Sequence, residues 1–389
     1  MSVRVSALVL GLLLIVSFLS VGREPWTPDE PREAEISREM WLAPSAVPTL
    51  NNEAFVEKPP LYYWTVAGLF ALTGGPSATA ARAVSATSAF LTLLLVFFWG
   101  RREFSAAVGL CAAIGLATSV EFMSHTHWIV MDPLLMLFMT VAAWAGYRLV
   151  QSRGTPGVLA VFYGSLTLAL WTKGLIGPVL LAAGLLVYAA ACRTTAPVWR
   201  VRPVLGVAVM VLMTGAIAGL IYIDAGAAAV REWLWVNHVQ RFVNPTYTGH
   251  DQPFHYYLSA LPIAVFPWWV PLASLLRPGR WRPSAHAPGL ESWHAARVYL
   301  GALSLGMVLL LSAVAYFILQ GVIVASHGRD SALAKSLGAD WKGKLSMVAY
   351  LTAIVMAFVL PWISDAIYAA VALAWVIPDR RVERALDRT

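Results

Sequence analysis

With 389 residues, 59% of them hydrophobic and only 13% charged, and a mean hydropathy of +0.67, the chain falls outside the range of water-soluble domains, which carry about 25% charged residues. Its formal charge of +7 sits mostly on arginines at the ends of apolar runs, so it reports topology and argues against nucleic acid as a partner. Cys111 and Cys192 lie inside apolar runs and read as small hydrophobes, which argues against a disulfide framework.

In chain order, the first apolar run, Val5 to Val21, resembles a signal-peptide core in length. It has no small-x-small cleavage site and is expected to remain as an anchor. Spans are predicted at roughly 4–22, 80–100, 104–122, 129–150, 156–172, 175–192, 203–223 and 257–276. A further run covers about 297–325, and a helical hairpin about 345–378 is broken near Pro361. Trp and Tyr, 17 and 13 of them, suit the two membrane interfaces.

Arginines 101 and 102, then 148 and 153, then 193, 200 and 202, then 277, 280 and 282 fall on alternate connections. They share one side if the N-terminus is cytoplasmic. Two long loops, 23–79 and 224–256, then lie on the outer face. Their basic residues, Arg23, Arg32, Arg38, Lys58, Arg231 and Arg241, stand where Lys and Arg are disfavoured, and an anionic ligand would account for them. In the last third Arg329, Lys335, Lys342, Lys344 and the terminal arginines conflict with this orientation by one span.

The first outer loop carries two charged clusters. Pro28-Asp29 is a helix-start signal, and a short helix to about residue 42 would put Asp29, Arg32, Glu33 and Ile36 on one face, along the membrane surface. Asp29 is either a cap or a reactive carboxylate at that surface. Glu57-Lys58-Pro59-Pro60-Leu61-Tyr62-Tyr63-Trp64 pins Lys58 near headgroup depth, where a point charge suits a phosphate. Lys173, between two apolar spans, is a cation that is functional unless it merely snorkels.

The string PWTPDEPREAEISREM…FVEKPPLYYW resembles the polyprenyl- and dolichyl-phosphate-sugar glycosyltransferases of the GT-C fold, among them the bacterial aminoarabinose lipid A transferase and the protein mannosyltransferases. The matches are Asp29, Glu30, Arg32, Phe55, Glu57, Lys58 and Pro59. In order downstream come Met131-Asp132-Pro133-Leu134, Thr172-Lys173-Gly174, Asn237-His238-Val239-Gln240-Arg241-Phe242, and Gln252-Pro253-Phe254 with Phe266-Pro267-Trp268. Asn237 stands where the family has an acid.

The resemblance implies an all-α polytopic membrane protein, a GT-C-like bundle of transmembrane helices with outer-face juxtamembrane helices in the first loop. It implies Asp29 as general base, with Glu30 beside it to orient the acceptor or bind a metal. Lys58, Arg32 and Lys173 would meet the donor phosphate, with Asp132, His238, Arg241 and Tyr62 in the substrate cavity. Asp132 before Pro133 has a plain helix-start reading as well. The donor would be a polyprenyl-phosphate-linked sugar and the acceptor lipid A, another glycan or a protein, on the periplasmic face of the bacterial inner membrane. A divalent cation is compatible with this chemistry, but His125, His127, Asp132 and His238 or His250 show no metal-ligand spacing, and no metal site is assigned.

Residues 295–389 do not continue the pattern. Asp340-Trp-Lys342-Gly-Lys344, Pro361-Trp362 and Ile377-Pro378-Asp379-Arg380-Arg381 resemble the end of a bacterial six-helix potassium-channel family, whose pore lies on a first helix that has no counterpart here. The Pro/Arg-rich segment 277–294 reads as a junction after a transferase-like domain at 1–276. Alternatives to an active transferase are an inactive truncated or fused one and a potassium-channel-related membrane protein.

Overall fold

The computed structural model describes residues 3–25 and 29–240, with a few isolated helical positions after residue 298. The chain divides into two compact units: 1–179, 201–237 and 257–297 form one, and 180–200, 238–256 and 298–389 the other. In the second unit, Tyr188 meets Tyr299 edge to face, ring centroids 5.2 Å apart.

Helices follow from apolar runs bounded by caps and breakers. Helix α1 covers Val3–Phe18, α2 Asp29–Leu42, α3 Leu61–Thr73 and α4 Ala78–Glu103. Next come α5 Ala106–Ala117, α6 Val120–Thr126, α7 Asp132–Val150, α8 Pro156–Lys173, α9 Ile176–Ala191, α10 Ala196–Arg200 and α11 Pro203–Arg231, continued as a π-helix over Glu232–Gln240. Ser77, Ser105 and Thr155 cap α4, α5 and α8 by accepting from the amides of Ala80, Val108 and Val158. Gly74 closes α3 at φ 86°, a left-handed position that a side chain would strain.

Among the described residues, α4, α7 and the 203–237 helix are long and apolar enough to cross a membrane, and α5 with α6 forms an apolar pair bent by 71°, a broken span or a re-entrant loop. That bend divides the straight span expected at 104–122. Thr118 and Ser119 turn their hydroxyls back to the carbonyls of Ile114 and Gly115, and α5 ends there. The spans expected at 4–22 and 175–192 are shorter, at 16 residues each. A left-handed Arg193 follows the end of α9.

The outer loop expected at 224–256 begins as helix, because α11 runs on through a non-helical Gly226 at φ 77°. The loop at 23–79 contains α2, α3 and a two-stranded hairpin, Thr49–Leu50 against Glu53–Ala54, turned by Asn51 and Asn52 at positive φ. The expected spans at 257–276, 297–325 and 345–378, the junction and the tail lie outside the described residues. Leu8, Ile15 and Leu19 on the first segment, and Val204, Leu212 and Ile223 on α11, are exposed, so the solvent of these faces is lipid.

The first unit is built around α4, which packs on α1, α3, α5 and α7, while α7 packs on α8. Ile36 and Met40 of α2 join Tyr62, Tyr63, Val66 and Phe70 of α3 and Val84 of α4 in one core, which seats the first loop on the bundle. Helices α4 and α5 touch through Gly100 and Gly109. A Cβ on Gly109 would collide with the Phe97 carbonyl and the Arg101 nitrogen. Gly109→Val is therefore expected to separate the two helices at a cost of about 1–3 kcal/mol, read as a lower thermal midpoint in detergent.

Candidate active site

Helix α2 buries an unusual face. Glu30, Glu33 and Glu39 are all in its buried set, so each carboxylate needs a partner in the interior.

Glu30 is fully buried. It takes Arg82 Nε at 3.1 Å and the Ile129 amide at 2.9 Å on one oxygen, and Arg23 at 2.9 Å on the other. Arg82, also fully buried, donates to the Val21 and Arg23 carbonyls at 2.7 and 2.6 Å. This cluster ties the end of the first segment, the start of α2, helix α4 and the approach to α7. The Glu30 carboxylate, expected beside Asp29 in the site, is thus buried and taken up by protein partners. Arg23 also lines a mostly apolar cavity of about 710 Å³ with His127, Trp128 and Met123.

Asp29 is the first residue of α2 and is exposed; its Oδ1 accepts from Arg32 at 2.7 Å. Arg32 also reaches Glu33 at 3.0 Å, and Lys58 reaches the same Glu33 oxygen at 2.7 Å. Tyr63 donates to the other Glu33 oxygen at 2.7 Å. Burial and then the Glu33 carboxylate push the Tyr63 phenol well above its usual range, so it stays a donor. On the opposite face Arg38 pairs with Glu35, at 2.7 and 2.8 Å.

Asp132 does not cap α7. The cap position is Met131, and the carboxylate accepts from Lys173 at 2.5 Å instead. Lys173 is thus carried by the end of α8 onto the start of α7, and Lys58 and His125 lie within electrostatic range of Asp132. Two ion-paired groups result, Asp29–Arg32–Glu33–Lys58 and Asp132–Lys173, with Lys58 within electrostatic range of Asp132. Lys58, Arg32 and Lys173 retain exposed surface.

Tyr62 faces the core, completely buried, and does not line an open cavity. The backbone of His238 lies within the π-helix; its side chain and all of Arg241 lie outside the described residues. Asn237 donates to the Val56 carbonyl at 2.9 Å, two residues before Lys58, a bond that a carboxylate could not donate. Among the described residues no group of three or more His, Cys, Asp or Glu is arranged to hold a metal.

Two participants went unassigned from sequence. Arg82 is a cation just inside an apolar run, a signal that by itself marks a special site. Glu33 looked like one surface acid among several, and only its partners distinguish it.

Residues 57–222 match the family of dolichyl-phosphate-mannose-protein mannosyltransferases. The whole chain overlays the crystal structure of ArnT from Cupriavidus metallidurans bound to undecaprenyl phosphate with a TM-score of 0.63 at 23% identity, covering 95% of this chain and 75% of that one. The N-terminal part of the chain is similar in sequence and fold to the GT-C glycosyltransferases. Among curated relatives, an undecaprenyl phosphate-alpha-4-amino-4-deoxy-L-arabinose arabinosyl transferase of Edwardsiella ictaluri is 30% identical over 274 residues, 67% of this chain and 47% of that protein. One from Sodalis glossinidius is 31% identical over 316 residues, 76% of this chain and 52% of its own length. The chain therefore spans about half the length of the curated transferases it matches. A potassium channel of Chryseobacterium sp. is 38% identical over 81 residues, 21% of this chain and 42% of that one.

Glu30→Gln tests the structural role of the buried pair. It leaves Arg82 without its counter-charge, an expected loss of about 3–5 kcal/mol, against little change for the exposed Asp29→Asn. Thermal unfolding of the two variants in detergent measures the difference.

Proposed function

We propose that the chain is a membrane glycosyltransferase that moves a sugar from a polyprenyl-phosphate-linked donor to an acceptor on the periplasmic face of a bacterial inner membrane. The observation that carries this reading is the two ion-paired groups, Asp29–Arg32–Glu33–Lys58 and Asp132–Lys173, built on GT-C-like motifs. The names of the curated relatives favour an aminoarabinose-type donor on undecaprenyl phosphate; the acceptor in this proposal is lipid A, a glycan or a protein.

In this reading Asp29 is the general base. It stands exposed at the start of α2, oriented by Arg32. It takes the proton of the acceptor's nucleophile as that atom bonds to the anomeric carbon. The bond from this carbon to the phosphate oxygen breaks, and its electron pair leaves with polyprenyl phosphate. Lys58, Arg32 and Lys173 oppose the charge that grows on this leaving group, a contribution that depends on donors already in place. Asp132 aims Lys173.

Transfer from a radiolabelled undecaprenyl-phosphate sugar in proteoliposomes tests the assignment. Asp29→Asn is expected to lower the rate by about 10²–10⁴-fold, the usual share of a general base. Undiminished transfer would remove Asp29 from that role.

The short channel match favours a second element, a tail at 295–389 of separate origin joined at 277–294. The same vesicles are expected to pass potassium no faster than empty ones. A selective flux would assign the tail a pore of its own.

A further inference from the structure

Glu33 is the one member of the two ion-paired groups that the catalytic reading leaves without a task. Its carboxylate is 2% exposed, and three side chains from two separate segments converge on it. Oε1 receives Lys58 at 2.7 Å and Arg32 at 3.0 and 3.3 Å; Oε2 receives Tyr63 at 2.7 Å. Ser37 holds the backbone below by donating to the Glu33 carbonyl at 2.7 Å.

We propose that Glu33 is the positioning residue of the phosphate site, a fixed counter-charge that draws Lys58 and Arg32 together and matches them to a singly charged phosphodiester. The proposal rests on the phosphate-binding reading of Lys58 and Arg32 given above.

The geometry is of the right kind for this. Lys58 has three donors and Arg32 five, so neither is exhausted by Glu33. Both remain partly exposed, at 21% and 34%, while the carboxylate between them is not. A ligand phosphate can therefore reach both cations from the open side without displacing Glu33. Tyr63 locks the carboxylate from behind, so the two cations cannot follow a ligand outward.

The charge count supplies the specificity. Lys58 and Arg32 against the buried Glu33 leave +1, and the exposed Asp29 on the outer side of Arg32 lowers the positive charge further. A lipid-linked sugar donor is a phosphodiester with one negative charge. Its product, a phosphate monoester, carries up to about two at neutral pH, its second proton leaving near pH 6. Two unopposed cations would hold the product more tightly than the donor. With Glu33 in place that advantage shrinks, and the spent lipid phosphate can leave.

Glu33→Gln separates this from a purely structural role, because it is nearly isosteric. The amide oxygen can still accept from Lys58 and Arg32, and the amide nitrogen can donate to the Tyr63 oxygen. In the purified full chain, undecaprenyl phosphate is expected to bind the variant about tenfold more tightly, a change that added salt diminishes. Undecaprenyl phosphate should also inhibit transfer by the variant more strongly. Unchanged or weaker binding by a folded variant overturns the proposal.

A second measurement needs no variant. Binding of undecaprenyl phosphate to the wild-type chain is expected to change little as the second phosphate proton is lost above about pH 6. Much tighter binding of the dianion by the wild type overturns the proposal as well. Inorganic phosphate as a probe separates headgroup recognition from lipid. If the wild-type chain binds no undecaprenyl phosphate, the transferase reading falls together with this one. If it binds but Glu33→Gln changes nothing, only the present inference falls.

Discussion

A carboxylate taken out of water must be given its charge partners by the protein, and the first loop of this chain is organised by that requirement. Helix α2 turns Glu30 and Glu33 inward, and neither can stay there alone. Glu30 recruits Arg82 from α4 and Arg23 from the end of the first segment, and Glu33 recruits Lys58, Arg32 and Tyr63. The first set anchors the helix; the second arranges cations beside an exposed Asp29. Burial of the same helix thus both seats the loop and composes the site.

The bundle beneath makes that burial affordable. Ile36 and Met40 of α2 enter one apolar core with α3 and α4, so the ion pairs sit at the edge of well-packed hydrocarbon. Asp224 on α11 accepts from Ser45 and the Ala46 amide, and Asn237 holds the Val56 carbonyl, so the far end of the unit also grips the loop. A segment that would otherwise be mobile becomes a rigid support for Lys58. Rigid support matters because electrostatic stabilisation of a leaving phosphate depends on donors that need not reorganise.

The candidate site is assembled from ends. Asp29 starts α2, Asp132 starts α7, Lys173 ends α8 and Lys58 precedes α3. Each lies where an apolar helix gives way to polar sequence. A membrane bundle can place charge at such points without burying it in hydrocarbon, and the family match at 57–222 concerns this same half of the molecule.

Sequence by itself determined most of the helices, because a run of apolar residues near 20 has few other stable forms in lipid. It also marked Asp29, Arg32, Lys58, Asp132 and Lys173, since ordered motifs and charges beside apolar spans are local signals. Tertiary structure alone decided what those residues do to one another. Asp132 had the sequence of a helix start, yet it spends its carboxylate on Lys173, because α7 and α8 bring the two ends together. Glu30 shared a motif with Asp29, yet successive helical positions point about 100° apart, so one is exposed and the other is sealed against Arg82. The bend between α5 and α6, the continuation of α11 past Gly226 and the part played by Glu33 were hidden for the same reason. Each depends on partners distant in sequence, and no local pattern carries that information.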